Sequence, residues 1–132
     1  IEQDKIDKMA DIMVEAIQAD EGAGNLIAAA LQSAAQSVGG ADWLVAGRPG
    51  SWEAEIVLKM AASGGTGNQQ RIDALAAWFI HFKGEAGGDI LSQAMGQAVN
   101  KLGGLDQFCA GSDWYSDIRN IGCQYSDYWD QY

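Results

Sequence analysis

Residues 21–47 read EGAGNLIAAALQSAAQSVGGADWLVAG, and residues 85–111, 64 positions later, read EAGGDILSQAMGQAVNKLGGLDQFCAG. Nine aligned pairs are identical without a gap, including the two glycine pairs, Gly39-Gly40 and Gly103-Gly104. Self-similarity at a fixed period is the signature of a repeated structural unit. Chance similarity between two Ala/Gly-rich helices is the alternative, and the ungapped GGxD…AG match argues against it. The sequence therefore predicts one domain built from two related halves.

Shorter matches extend the similarity on both sides and define its limits. Lys5-Ile6-Asp7 aligns with Arg71-Ile72-Asp73, and Trp52 aligns with Trp114. The length of 132 residues suits a single domain with one hydrophobic core, 1–132. Its predicted parts are repeat one at 3–62, a Gly-rich linker at 63–68, repeat two at 69–122, and an aromatic and acidic tail without a counterpart at 123–132.

Apolar residues recur at spacings of three and four, which is typical of amphipathic helices. The first such stripe, in a helix over about residues 3–20, contains Ile6, Met9, Ala10, Met13 and Ile17. The residues expected to cap helix N-termini are Asn25, Asp42, Ser51, Asp89, Asp106 and Asp113. The glycine pairs are expected to end two helices, and Gly122 to end the last one. No strand-like alternation is found, so we expect an all-α fold with about three helices per half, related by a pseudo-two-fold axis.

The chain is acidic, with a formal net charge of −10, and its acids are concentrated at both ends. Residues 1–21 hold seven acids against two lysines, and residues 106–132 hold five against Arg119. Direct binding to nucleic acid or to an anionic membrane needs basic residues, so both are disfavoured. The sequence has no apolar run of membrane-spanning length and no leader, so we expect a cytoplasmic protein. Cys109 and Cys123 are then expected to be buried thiols, with one disulfide as the alternative.

No residue pattern indicates catalysis or a metal site. Acids in a first helical turn, such as Glu53 and Glu55, are favoured by the helix dipole without any catalytic role. His81 has no second histidine or suitably spaced cysteine, and is expected to lie in the core or in an interface. The segment Gly64–Gly67 lacks the Gly-Lys-Ser/Thr ending of a phosphate-binding loop and is expected to be a hinge. We therefore expect no enzyme activity, no cofactor and no metal, and rank a carboxylate-bound metal enzyme last.

The aromatic and acidic C-terminal segment suggests a function. Its rings and carboxylates could contact arginine and lysine on another protein, or the rings could instead pack back on the fold. The predicted partner-binding residues are Asp113, Asp117, Tyr125, Asp127, Tyr128, Trp129 and Asp130, with Asp4, Asp7, Asp11 and Glu15 as a second patch.

We expect a small module that binds a basic protein and inhibits a nucleic-acid-handling protein or complex, through nucleic-acid mimicry. The analogy, from charge and size alone, is to phage-encoded anti-restriction and anti-CRISPR inhibitors. The alternative is a self-assembling structural protein. Trp78 and Phe82 lie off the main apolar stripe of their helix, and a homo-oligomer could form through that face.

Overall fold

The computed structural model describes residues 2–20, 22–45, 51–82, 89–109, 112 and 114–124. Within these ranges the chain forms seven α-helices and one short 3₁₀ helix, with no β-strand. The elements are α1 (Glu2–Ala19), α2 (Ala23–Val38), a 3₁₀ helix (Ala41–Leu44), α3 (Trp52–Ser63), α4 (Gln69–Phe82), α5 (Asp89–Lys101), α6 (Leu105–Phe108) and α7 (Tyr115–Gln124). The all-α prediction is confirmed.

The helices enclose one hydrophobic core. The stripe predicted on α1 faces this core, with Ile6, Met9, Ala10 and Met13 buried and Ile17 partly buried. Helix α2 is the central element, because every residue from Leu26 to Leu31 is buried. Its run of alanines leaves room for neighbouring helices on several sides, whereas Gln36 and Ser37 nearer its C-terminus are exposed.

The main helix contacts cross between the two predicted halves. Helix α1 packs on α5, α4 packs on α2 and α3 packs on α7, while the contact of α3 with α2 lies within the first half. Lys101 of α5 pairs with Asp11 of α1 at 3.0 Å, and Arg71 of α4 pairs with Asp20 at 3.0 Å. Helices from both halves therefore contribute to a shared core.

Both glycine pairs end a helix, as predicted. Gly39 after α2 has φ 96°, and Gly103 after α5 has φ 86°, a left-handed conformation that favours glycine. The second glycines, Gly40 and Gly104, have φ of 141° and 144°. Their backbone N–H groups donate to the carbonyl oxygens of residues 35 and 99, at 2.8 and 3.0 Å, which satisfies acceptors near the helix ends.

Three of the predicted N-caps are wrong. Gly22 caps α2, so Asn25 lies inside the first turn of that helix. Gly40 caps the 3₁₀ helix and Gly104 caps α6, so Asp42 and Asp106 lie in first turns instead. The reason is that the second glycine of each pair already directs the chain into the next helix. The two aspartates remain in positions that the helix dipole favours.

The remaining helix ends agree with the predictions only in part. Ser51 caps α3, where its Oγ accepts a hydrogen bond from the backbone N–H of Ala54 at 3.1 Å. Asp89 is the first residue of α5 rather than the residue before it. The prediction that Gly122 ends the last helix is wrong, since α7 continues to Gln124. A glycine inside a helix costs only about 1 kcal/mol, which neighbouring residues can offset. Asp113 lies outside the described residues.

The linker predicted at 63–68 corresponds to the connection between α3 and α4, although Ser63 still belongs to α3. Residues 64–68 are not helical, and Asn68 caps α4, a role that the sequence analysis missed. Its Oδ1 accepts hydrogen bonds from the backbone N–H groups of Gln70 and Arg71, at 3.0 and 3.3 Å. This connection packs on α2: a Cβ on Gly67 would lie 2.8 Å from a methyl carbon of Leu26.

Candidate protein-binding surface

The outer face of α1 carries a row of carboxylates, which we call the α1 ridge: Asp4, Asp7, Asp11 and Glu15. Their spacing of three and four residues places them along one face of the helix, opposite the buried stripe. Asp4, Asp11 and Glu15 are exposed, and Asp7 is half-buried. The second predicted acidic patch is therefore one continuous surface.

Part of this ridge takes part in contacts within the fold. Asp7 Oδ1 accepts hydrogen bonds from Gln3 Nε2 at 2.8 Å and from Gln97 Nε2 at 3.0 Å. These two bonds hold the pKa of Asp7 below its ordinary value, and the bond from Gln3 has the larger effect. Asp4 and Glu15 form no ion pair and no side-chain hydrogen bond with any described residue. The carboxylates most available to a partner are therefore Asp4 and Glu15.

The charge density of the ridge distinguishes it from a nucleic acid. From Asp4 to Glu15 the helix rises about 16 Å, since each residue adds 1.5 Å. Four carboxylates occupy this length, whereas B-form DNA presents about one charge per 1.7 Å, or roughly ten. The ridge alone thus has less than half the linear charge of a duplex.

The other predicted patch is described only at Asp117. The remaining residues predicted there lie outside the described part of the chain: Asp113, Tyr125, Asp127, Tyr128, Trp129 and Asp130. Asp117 is exposed on α7, and its Oδ2 lies 3.4 Å from Lys59 Nζ of α3. The α1 ridge instead lies beside α5, so these two acidic surfaces are built on different helix pairs.

The aromatic face predicted on α4 is only half exposed. Trp78 has 41% of its surface exposed, whereas Phe82 is buried and stacks on Trp78 with ring centroids 5.5 Å apart. Lys8 Nζ of α1 lies 5.8 Å from the centre of a Trp78 ring. His81 is exposed and packs edge-on against Phe82 at 5.0 Å, so of its two predicted places the core is excluded and an interface stays a prediction.

Two further surface features were not predicted. Trp43, in the 3₁₀ helix, has 58% of its surface exposed, the highest value among the large apolar side chains that the structure describes. A shallow groove of about 200 Å³ lies beside Trp78, between α1, α2 and α4. Its lining residues are Ala16, Leu26, Arg71, Ala74, Leu75 and Trp78.

A larger cavity of about 370 Å³, which we call the α7 cavity, lies between α2, the end of α3 and α7. Its lining residues are Asn25, Ser63, Gly64, Gly65, Thr66, Trp114 and Asp117. Trp114 is 5% exposed and lies in the core, as does Trp52, with which it aligns in the sequence. The sequence predicted a hinge at Gly64–Gly67. The high glycine content of this segment is the one sequence signal that its backbone packs closely against another element.

Cys109 is a buried free thiol, as predicted. Burial raises its pKa to about 12, and the nearby carboxylate of Asp106 adds to the effect. A thiol with such a pKa is protonated at neutral pH and is a poor nucleophile. The side chain of Cys123 is outside the described part of the chain.

The described residues contain no group of three or more His, Cys, Asp or Glu side chains placed to hold a metal ion. None of the helices in the described ranges is both long and apolar enough to cross a bilayer. Comparison with protein-family models, curated proteins and solved structures finds no match to this chain.

Proposed function

We propose that this protein is a non-enzymatic binding module that engages a basic protein surface, and that its partner is a nucleic-acid-handling protein or complex, which it inhibits. The observation that carries this proposal is the α1 ridge, with Asp4, Asp11 and Glu15 exposed along one helix face. A row of like charges attracts an oppositely charged protein over a distance and orients it on approach. A net charge of −10 strengthens this attraction to basic surfaces.

Nucleic-acid mimicry of the anti-restriction or anti-CRISPR type is the more specific form of this proposal. Because the ridge alone carries less than half the linear charge of a duplex, mimicry requires further carboxylates. Asp127 and Asp130 of the C-terminal segment would supply them, with Tyr128 and Trp129 adding contact area for arginine and lysine.

We also propose that the fold is an internal duplication with pseudo-two-fold symmetry. The matching φ values of the two glycine pairs support it, as does the packing of α1 on α5 and of α4 on α2. A two-fold operation that exchanges α1 with α4 and α2 with α5 would convert one of these contacts into the other. In addition, Gln3 donates to Asp7 at 2.8 Å, and Gln69 donates to Asp73 at 2.9 Å.

Self-assembly is the second candidate, and the exposure of Trp78 favours it. The Trp78 ring lies beside the groove between α1, α2 and α4, where a second copy could cover apolar surface. Association through this face would persist in high salt, because burial of apolar surface is not screened. Trp78→Ala would then remove concentration-dependent association in sedimentation velocity.

The test of the main proposal is capture from a lysate by immobilised protein, with elution along a salt gradient and with duplex DNA as competitor. Two variants that each remove two negative charges are compared: Asp4→Asn/Glu15→Gln on the ridge, and Asp42→Asn/Asp73→Asn elsewhere. We expect the parent and the second variant to retain a nucleic-acid-binding complex that is released at moderate salt and displaced by DNA. The ridge variant should lose most of it.

Equal capture by both variants would overturn the assignment of the ridge as the binding surface. Recovery of nothing but the protein itself, resistant to salt, would instead support self-assembly. Thermal melting of both variants excludes misfolding as the cause, since exposed acids contribute little to stability.

A further inference from the structure

We propose that the α7 cavity receives an arginine side chain of the basic partner, with its guanidinium group against Asp117 and Trp114. This inference rests on the proposed function, because it assigns a specific contact to a basic protein. The cavity volume of about 370 Å³ lies at the small end of the range for ligand pockets. It suits one long side chain better than a large cofactor.

One wall of the cavity is formed by closely packed backbone. A Cβ on Gly65 would overlap the backbone carbonyl oxygen of Asn25 in α2, so only glycine fits there. A Cβ on Gly64 would lie 2.7 Å from Gln32 Oε1. The wall at Gly65 is therefore set by main-chain packing on α2, whereas Gly64 lies against the side chain of Gln32.

The charges around the cavity select a cation. Asp117 is the one charged residue among the described residues that line the cavity, and 53% of its side chain is exposed. Helix α3 ends at Ser63 with no basic residue in its last turn, so its terminal carbonyl groups add partial negative charge. The first turn of α2, at Asn25, contributes only about half a positive charge at most. A full carboxylate outweighs this half charge, and the ammonium group of Lys59, which pairs with the carboxylate, offsets part of its charge.

The presence of Lys59 shows that a cation is stable beside this carboxylate. Its Nζ lies 3.4 Å from Asp117 Oδ2, and its side chain is 40% exposed, so the pair is weak and open to competition. A guanidinium is planar, pairs with a carboxylate through two hydrogen bonds, and stacks on aromatic rings. Trp114 provides such a ring in the cavity wall. These features favour arginine over lysine.

The first experiment titrates the full chain with N-acetyl-arginine amide and follows the indole N–H signals by NMR. The Trp114 signal is identified by its loss in Trp114→Phe. The buried Nε1–H of Trp114 has no acceptor among the described residues, so its signal should respond to a ligand in the cavity. We expect a saturable shift with the arginine probe, and little with the lysine analogue or the neutral citrulline analogue.

Three variants make the test specific. Asp117→Asn should weaken binding of the arginine probe roughly tenfold, the effect of losing about 1.4 kcal/mol from a charged contact. Lys59→Met should strengthen it, because the resident competitor for Asp117 is removed. Asp42→Asn removes the same charge from the 3₁₀ helix and should bind as the parent does.

The absence of a shift at Trp114, or equal shifts with arginine and citrulline, would overturn the proposal. Equal binding of lysine would overturn the preference for a guanidinium. The two proposals fail separately. Loss of partner capture in Asp4→Asn/Glu15→Gln with no arginine binding would leave the ridge assignment intact and remove the cavity. Arginine binding together with equal partner capture by both charge variants would leave the cavity assignment intact and remove the ridge assignment.

Discussion

Gln97 of α5 donates a hydrogen bond from Nε2 to Asp7 Oδ1 of α1, 3.0 Å away and 90 positions earlier in the chain. Lys101, one helical turn further along α5, pairs with Asp11 in the same way. These contacts join the first helix of one predicted half to the second helix of the other. The α1 ridge therefore has a structural edge, formed by Asp7 and Asp11, and an open part, formed by Asp4 and Glu15.

Stability should decline at acid pH partly through Asp7. Its pKa is lowered below the ordinary value of 3.8, so the unfolded chain takes up the proton first as pH falls. The contribution of the ionised Asp7 side chain to stability is complete above about pH 4 and is lost as pH falls through the lowered pKa. We expect Asp7→Asn to flatten the acid limb of a plot of Tm against pH. Parallel curves for Asp7→Asn and the parent would contradict this expectation.

Cys109 should resist alkylation in the native protein. Since its pKa is raised to about 12, little thiolate is present at pH 8, and burial excludes the reagent. In a Cys123→Ser background, we expect iodoacetamide to label Cys109 only when denaturant is added. Because the folded pKa exceeds the ordinary value of 9.0, the stabilising contribution of this thiol is complete below pH 9 and declines above it. Labelling at the same rate with and without denaturant would exclude a buried thiol.

Gly65→Ala should destabilise the protein by about 1–3 kcal/mol, the usual cost of overpacking. Its Cβ would overlap the backbone carbonyl of Asn25, which cannot rotate away. Gly96→Ala is the matched control in α5. There the nearest atom is Cγ of the flexible Glu53 side chain, at 3.0 Å, and alanine favours the helix by about 1 kcal/mol. Urea denaturation of the two variants should show changes in the free energy of unfolding that are opposite in sign or clearly unequal. Equal changes would refute the close approach of residue 65 to α2.

Ser51→Ala should destabilise the fold by about 0.5–2 kcal/mol through loss of the α3 cap. Its Oγ accepts from Ala54 N at 3.1 Å, and alanine cannot replace this acceptor. Ser37→Ala serves as the control, because Ser37 Oγ donates to a carbonyl within the same helix turn, where alanine is tolerated. Chemical denaturation measures the free energy of unfolding of both variants. Equal values for Ser51→Ala and Ser37→Ala would show that the cap is unimportant.

Asp127→Asn/Asp130→Asn should weaken partner binding and leave thermal stability nearly unchanged, because surface acids contribute little to folding. Capture of the partner at increasing salt, beside a melting curve, tests both parts of the prediction. Binding equal to that of the parent would exclude the C-terminal segment from the partner-binding surface.

Sequence patterns predicted the parts of the fold that depend on neighbouring residues. The periodic stripe of Ile6, Met9 and Met13 indicated α1 and its buried face. Gly39 and Gly103 indicated two helix ends, since the left-handed conformation there is a local requirement. The wrong N-cap predictions at Asp42 and Asp106 also arose from neighbouring residues. Two capping signals stood close together, and sequence spacing could not show that glycine would take the cap position.

The candidate sites were less predictable. The acids of α1 were found from composition and helical spacing, but their division into Asp7, bonded to α5, and Asp4, open to a partner, depends on which helix lies beside them. Trp78 and Phe82 have similar sequence surroundings, yet one is exposed and the other buried. Thr66 and Asp117 are 51 positions apart, and no pattern in the sequence indicated that both line one cavity.

The sequence by itself determined that the chain is helical, where most helices lie, which faces are apolar, and that its surface is acidic. These properties follow from side-chain periodicity and backbone preferences, which act over a few residues. Only the tertiary structure decided that α1 packs on α5 and α4 on α2, and that α3 and α7 enclose a cavity with the Gly64–Gly65 backbone. Such contacts depend on how whole surfaces fit together, because many pairings would bury the same apolar stripes and close packing selects among them.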